Sequence, residues 1–242
     1  RIKNLFFYVS SSNFKLLKPY TLSLMIKPFS LFFAFLTSLS LFAQVQASQD
    51  VQNLYNPNYR YITYLGMDFS KVILVGDFSE ALGTDGNPAT KNAYFKAWNN
   101  LVSGEFDKYN IKVLANNKNI VPNIENIMKL NYAVNIDSIS GYKTPNYTKE
   151  EILKHVKTFN LPTNKGLGVF FLIESFNKDI TKAFVDFVVI NMETKEIVLL
   201  KKLEANPRGS GLRNYWAGAI FEAFKTIEKN FSNSWKSEFS FN

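Results

Sequence analysis

The chain has 242 residues, with 28 Lys and Arg against 20 Asp and Glu, one histidine and no cysteine. Without cysteine there is no disulfide framework, no lipid-modified N-terminal cysteine and no thiolate metal site, and one histidine leaves zinc chemistry almost without ligands. The net charge of +8 would suggest a polyanionic partner, but Arg1, Lys3, Lys15, Lys18 and Lys27 all stand in residues 1–47 with no acid among them, and no Lys/Arg block follows, so nucleic-acid binding is not expected.

In chain order, the first feature is a leader. Met25 and Lys27 precede an apolar run from Phe29 to Ala43, and Gln44-Val45-Gln46-Ala47 closes it with small-x-small spacing. A basic start, an apolar middle and a small exit describe a secretory signal peptide over 25–47, cut after Ala47 or Ala43. The run falls short of the about 20 residues that cross a bilayer, so no integral span is expected after cleavage. Residues 1–24 lack periodicity and read as an over-extended start ahead of Met25. The expected location is periplasmic or outer-envelope associated, exported and not lipidated. What remains suits one core and is short for two domains, with 48–60 a polar leader and 61–242 a single domain.

Two β-rich runs follow, Tyr61 to Asp68 and Lys71 to Phe78, the second nearly continuous in apolar residues as in a strand covered on both faces. Gly83 to Pro88 is a turn cluster, and Tyr94, Trp98, Leu101, Val102 and Phe106 repeat at helical spacing over 89–107. Ile111 to Ala115 reads as a short strand, Ile120 to Leu130 as a weaker helix, and Tyr132 to Ile139 as an edge strand. Thr148-Lys-Glu-Glu151 has the spacing of a capping box and predicts a helix over 149–159. Residues 166–176, 183–191 and 196–203 read as three strands joined by short polar links, an antiparallel meander. Ala217, Ile220, Phe224, Ile227 and Phe231 then share one face of a helix over 212–231, which must cover a sheet. The expected fold is one α/β (α+β) domain: a mixed sheet with a C-terminal antiparallel meander, packed by two main amphipathic helices.

Residues able to do chemistry are sparse. Asp77, Glu80 and Asp85 flank the end of a strand, where α/β folds often place ligands, and Asp85-Gly-Asn87 resembles a fragment of a calcium loop, without the full ligand spacing or the closing glutamate. Ordinary turn chemistry accounts for them more simply. Glu174 and Asp186 interrupt apolar strands and read as single acids on the solvent face of a sheet, although paired acids in a cleft would suit hydrolysis. His155 reads as a partly exposed helix residue; a Ser-His-Asp relay would need it. The stretch Asn206 to Trp216, "NPRGSGLRNYW", places Arg208, Gly209, Gly211 and Arg213 before a helix, where free amides attract anions. It lacks the Lys-Ser/Thr of a nucleotide loop and the third glycine of a dinucleotide fingerprint, so a flexible strand-to-helix connection is the plainer reading. Tyr55, Tyr59, Tyr61 and Tyr64 cluster in sequence, as a stacking platform or as simple packing. Asn146-Tyr-Thr148 and Asn230-Phe-Ser232 match glycosylation sequons that only a eukaryotic secretory host would use.

The stretches "KVILVGDF", "GVFFLIESF", "AFVDFVVINMETKEIVLL" and "NYWAGAIFEAFKTI" resemble small bacterial envelope domains similar to the N-terminal domain of TolB and the curli-secretion lipoproteins, over residues 70–231. The Asn-, Lys- and Phe-rich style is also similar to exported proteins of Bacteroidetes. The resemblance implies a pair such as Glu193-Thr194 at a hairpin, a helix closing the sheet, and an assembly or interaction role with no catalytic residue to carry over. The missing lipidated cysteine sets this chain apart from the lipoproteins. The expectation is a non-enzymatic envelope protein with protein partners and no cofactor. A carboxylate-based hydrolase or cation-dependent enzyme on Asp77, Glu80 and Asp85 is the alternative, and a glycan or small-ligand binder on the tyrosines is the third reading.

Overall fold

The structure is a computed structural model that describes residues 49–79, 88–105, 108–115, 120–161 and 165–239. The expected signal peptide, the segment before it, and the turn carrying Glu80 and Asp85 lie outside the described residues.

The sheet is organised around β5 (Leu167–Asn177), the longest strand. On one edge of β5, β1 (Ile62–Asp68) and β2 (Ile73–Val75) lie in tandem, both parallel to it. The two-residue strands β3 (Val121–Pro122) and β4 (Ser140–Gly141) extend them outward. On the other edge, β6 (Lys182–Asn191) and β7 (Ile197–Ala205) complete the expected antiparallel meander. Both meander turns use the same device: Asn177 Oδ1 accepts the amides of Asp179 and Ile180, and Asn191 Oδ1 accepts those of Glu193 and Thr194. The fourth residue after each asparagine, Thr181 or Lys195, takes a positive φ. Glu193-Thr194 thus sits in the second turn. The mixed sheet and flanking helices are the α/β fold that the periodicities indicate, and Gln46–Asn242 group as one compact unit.

The helices divide between the two faces. On one, α1 (Pro88–Gly104) and α4 (Gly211–Asn230) bury Phe95, Trp98, Leu101, Trp216, Ile220, Phe224 and Ile227 against β1, β5, β6 and β7. Ring stacking is dense there, with Phe176 parallel to Trp216 at 4.5 Å and Phe69 parallel to Phe95 at 4.6 Å. On the other face, α2 (Glu125–Tyr132) and α3 (Lys149–Val156) cover a smaller cluster of Leu65, Phe170, Leu172, Val188 and Ile190. Coverage of both faces is why β5 and β6 read as almost unbroken apolar runs. The capping box forms as expected, with Thr148 Oγ1 accepting the Glu151 amide and Glu151 Oε2 accepting the Thr148 amide. Among the described residues, no helix is long and apolar enough to cross a membrane.

Three segments differ from expectation. Ile111–Ala115 is a 3-10 turn, not a strand, because Ile111 and Leu114 stand three apart and both face the core, and Asn110 Oδ1 caps the amide of Lys112. The run 71–78 is a strand only over Ile73–Val75, since Gly76 takes a φ of +91° and Asp77 starts a turn. The expected edge strand 132–139 holds a short 3-10 turn at Ile136–Ser138 and yields to β4.

A break between β1 and β2 carries polar groups into the fold. A register shift at Tyr64/Gly66 bends β1, and Gly66 has a φ of +110° where a side chain would strike Asn99 and Ile124. Past the bend, two buried asparagines take over the ladder. Asn99 Oδ1 of α1 accepts the Met67 amide at 2.8 Å, and its Nδ2 donates to the Met67 carbonyl. Asn131 of α2 accepts the Phe69 amide at 2.7 Å and donates to the same Met67 carbonyl. These bonds satisfy backbone groups that two-residue β3 cannot reach.

Candidate functional site

The most chemically loaded place lies on the α2/α3 face, where the helices leave the far half of β5 to β7 uncovered. Asp186 on β6 stands directly opposite Lys202 on β7, and a second register shift, between Ile173 and Ser175, brings Glu174 beside them. Lys202 Nζ is 2.5 Å from Glu174 Oε1 and 3.5 Å from Asp186 Oδ1. The Tyr147 amide donates a further bond to Glu174 Oε1 at 3.0 Å. Asp186 is fully buried and Glu174 is 4% exposed, so the reading of both as single acids on a solvent face is corrected. The loop 142–148 arches over that face, held by Asn177 Nδ2 donating to Thr144 Oγ1 and by the Tyr147 hydroxyl donating to the Lys71 carbonyl.

Between loop and sheet is a cavity of about 420 Å³. Its polar floor is Glu174, Asp186 and Lys202; Pro145, Ile180 and Phe184 supply apolar wall. Neither oxygen of Asp186 accepts a hydrogen bond from a backbone or side-chain donor, and the lysine ammonium stands at ion-pair distance only. Burial, then the neighbouring charge of Glu174 and the hydrogen bond that the protonated Asp186 makes to it, push the Asp186 carboxyl up to about 8, with Lys202 opposing. At neutral pH the site therefore holds a protonated Asp186 under the ion pair of Glu174 and Lys202. The ammonium side chain is 43% exposed and forms the lid of the arrangement.

A second cluster stands on the same face. His155 Nε2 is 2.7 Å from Asp68 Oδ2 and 3.2 Å from Ser70 Oγ, and Asp68 Oδ1 accepts the Ser70 amide. The histidine is partly exposed on its helix, as expected, with its side chain 10% exposed and its ring edge-on to Phe159. The three residue types of a hydrolytic relay are thus together, but serine and aspartate share one ring nitrogen. A relay needs the carboxylate on one nitrogen and the hydroxyl on the other. With Nε2–H donating to Asp68, that atom is not free to accept the serine proton.

The other expected residues are dispersed. Asp77 lies in an exposed turn, where its Oδ1 accepts the Ser79 amide at 2.9 Å; those Ser79 hydrogen bonds hold its carboxyl below the ordinary value. Among the described residues no three His, Cys, Asp or Glu side chains converge as a metal site. Tyr55 and Tyr64 are core residues, Tyr59 meets Tyr61 edge-on at 5.9 Å, and only Tyr61 of the four is well exposed. They make no common platform.

The Gly-Ser-Gly stretch folds back along its own helix. Arg208 N–H donates to the Tyr215 carbonyl, and a side chain on Gly218 would overlap the Arg208 backbone. A side chain on Gly209 would approach the Asn214 carbonyl to 2.8 Å. The stretch is the strand-to-helix connection expected, and Gly209 and Gly218 let it pack closely on the helix. Arg208 is paired with Glu222 at 3.3 Å, and Arg213 donates to Asn214 Oδ1. Arg208 and Gly209 border a cavity of about 510 Å³ that Gly211 and Arg213 do not line.

Sequence reasoning missed Lys202, Asp68, Ser70, Asn99 and Asn131. Signals existed for some of them: His155 stands three after Ile152 and four before Phe159, on the packed side of α3. Asn99 interrupts the apolar stripe of α1. Compared with known proteins, the sequence matches no family model and no curated protein.

Proposed function

We propose that this chain is an exported, non-enzymatic binding protein of the cell envelope, with the cavity over Glu174, Asp186 and Lys202 as its recognition site. The observation that carries this reading is a buried carboxyl whose oxygens accept no hydrogen bond, on the floor of a cavity open to solvent. Buried polar groups are ordinarily bonded, and an exception at a cavity marks a place where a ligand supplies the missing partner. The rim supports it: Ile180 is 56% exposed, and Tyr142, two residues before the cavity wall at Thr144, is fully exposed. The apolar run over 29–43 supports export, and the resemblance over 70–231 supports an assembly role.

Because the chain lacks cysteine, Ile180→Cys provides a unique handle for a photocrosslinker. In intact cells it is expected to capture an envelope protein that the same probe at the exposed Lys229 of α4 does not capture. Equal or absent capture at the two positions refutes the reading.

One observation favours a second reading, a carboxylate-based hydrolase. Two neighbouring buried acids, with the Asp186 carboxyl pushed up by burial and by Glu174 beside it, are the pairing that acid–base catalysis uses. Against it, Glu174 is engaged by Lys202 and by the Tyr147 amide, which lowers its value as base or nucleophile. Hydrolytic turnover abolished by Asp186→Asn would favour this reading over the first.

A further inference from the structure

We propose that the cavity over Asp186 binds an organic cation, a guanidinium or primary ammonium group on an aliphatic stem, and that binding expels a proton. This rests on the cavity being the recognition site. The geometry of the acids motivates it. Two buried carboxyls share one ammonium: Lys202 lies 2.5 Å from Glu174 and 3.5 Å from Asp186, and Glu174 also receives the Tyr147 amide. Asp186 accepts no hydrogen bond on either oxygen, though fully buried and lining the cavity, and balances the site only by holding a proton. Once that proton leaves, the other charged groups facing the site do not supply the missing positive charge. Glu204 of β7 also lines the cavity, with Lys182 of β6 at 3.7 Å from it, and Glu151 of α3 lies within electrostatic reach of Lys202. Tyr147 is turned away, its hydroxyl bound to the Lys71 carbonyl.

An anion entering this site would meet the charge of Glu174 and oppose release of the Asp186 proton, whereas a neutral sugar would leave both unchanged. A cation balances the ionised site: two carboxylates, Lys202 and the incoming group. Pro145, Ile180 and Phe184 provide the apolar wall against which a methylene stem packs. In the empty site Asp186 holds its proton up to about pH 8. A second positive charge favours the ionised form, so the carboxylate accepts hydrogen bonds from the ligand and the proton leaves to solvent.

Isothermal titration with n-butylguanidinium at pH 7, in two buffers of different ionisation enthalpy, reads the proton directly. Release is expected to approach one proton per site at pH 7 and to fall towards none at pH 9.5. Affinity is expected to weaken about tenfold per pH unit below about 8, as obligate release of one proton requires. Asp186→Asn is expected to abolish the release and weaken binding at least about tenfold at pH 8. Lys202→Met, which removes the resident cation, is expected to bind more tightly and serves as a second variant should the first fold poorly. Neutral n-butylurea is expected not to bind.

A peptide carrying one arginine, titrated in parallel, separates the sources: tighter binding of the peptide assigns the cation to a partner's side chain, and equal binding assigns it to a free small molecule. Several results overturn the proposal: no binding at about 10 mM of either probe, binding without proton release, or equal binding of the urea. If the cation fails while the Ile180→Cys probe still captures an envelope protein, the binding-protein reading stands and only this ligand class falls.

Discussion

Replacing Asn99 and Asn131 by leucine, singly and together, tests whether the end of β1 depends on one shared acceptor. In the Asn99→Leu protein the Met67 amide loses its partner, while the Met67 carbonyl keeps the bond from Asn131 Nδ2. In Asn131→Leu the Phe69 amide is orphaned, while the carbonyl keeps the bond from Asn99 Nδ2. Each single change therefore strands one buried amide, at a cost of about 1–3 kcal/mol. The double change strands both amides and the carbonyl as well, a third group of similar cost. The double variant is expected to be less stable than the sum of the singles by about 1–3 kcal/mol. Urea unfolding of the four proteins, analysed as a double-mutant cycle, measures that excess. Additivity within about 0.5 kcal/mol, the behaviour of independent sites, would refute the shared-acceptor account.

Three further outcomes follow from the geometry. Asp186 holds in the folded state a proton that the unfolded chain has released. Its contribution to stability is therefore complete below the ordinary value of 3.8 and is lost as pH rises through about 8. Each unit of that elevation is worth about 1.4 kcal/mol. Unfolding curves from pH 4 to pH 9 should show this decline in the parent and not in Asp186→Asn, and parallel curves would contradict it. His155→Leu removes the partner of the buried Asp68 carboxylate and should cost about 1.5–3 kcal/mol, with Asp68→Asn in the same chain recovering part of it; a further loss in the double variant would count against the pairing. Gly218→Ala should destabilise by about 1–3 kcal/mol through overlap with the Arg208 backbone. Gly104→Ala, with nothing within reach of the added methyl, should stabilise by about 0.5–1 kcal/mol, and thermal unfolding of both variants checks the contrast.

What sequence made legible was periodic. The alternations of β5 to β7, the three-and-four spacing of α1 and α4 and the Thr148–Glu151 box all act through neighbours in the chain, and all appear where expected. The acid cavity was legible only in part. Asp186 has the same parity along its strand as Val188 and Ile190, so all three face α2 and α3. That its end of the face is roofed over depends on where loop 142–148 lies, and no periodicity encodes a loop's path. Glu174 joins the cluster through a bulge, which a register count across the hairpin alone does not anticipate. Ile111 and Leu114 misled for a related reason, since five apolar-rich residues fit a strand and a 3-10 turn equally until their neighbours are known.

The tandem seating of β1 and β2 on one edge of β5 sets the order in which this molecule can assemble. Apart from the stubs β3 and β4, their only partner strand among the described residues begins at Leu167, and residues 76–166 must be synthesised in between. β1 and β2 thus wait for a distant partner, whereas β5 pairs with β6, and β6 with β7, as each next strand is made. A nascent chain must shelter the apolar segment 62–75 until β5 is made, and that interval is where holding factors and proteases compete for it.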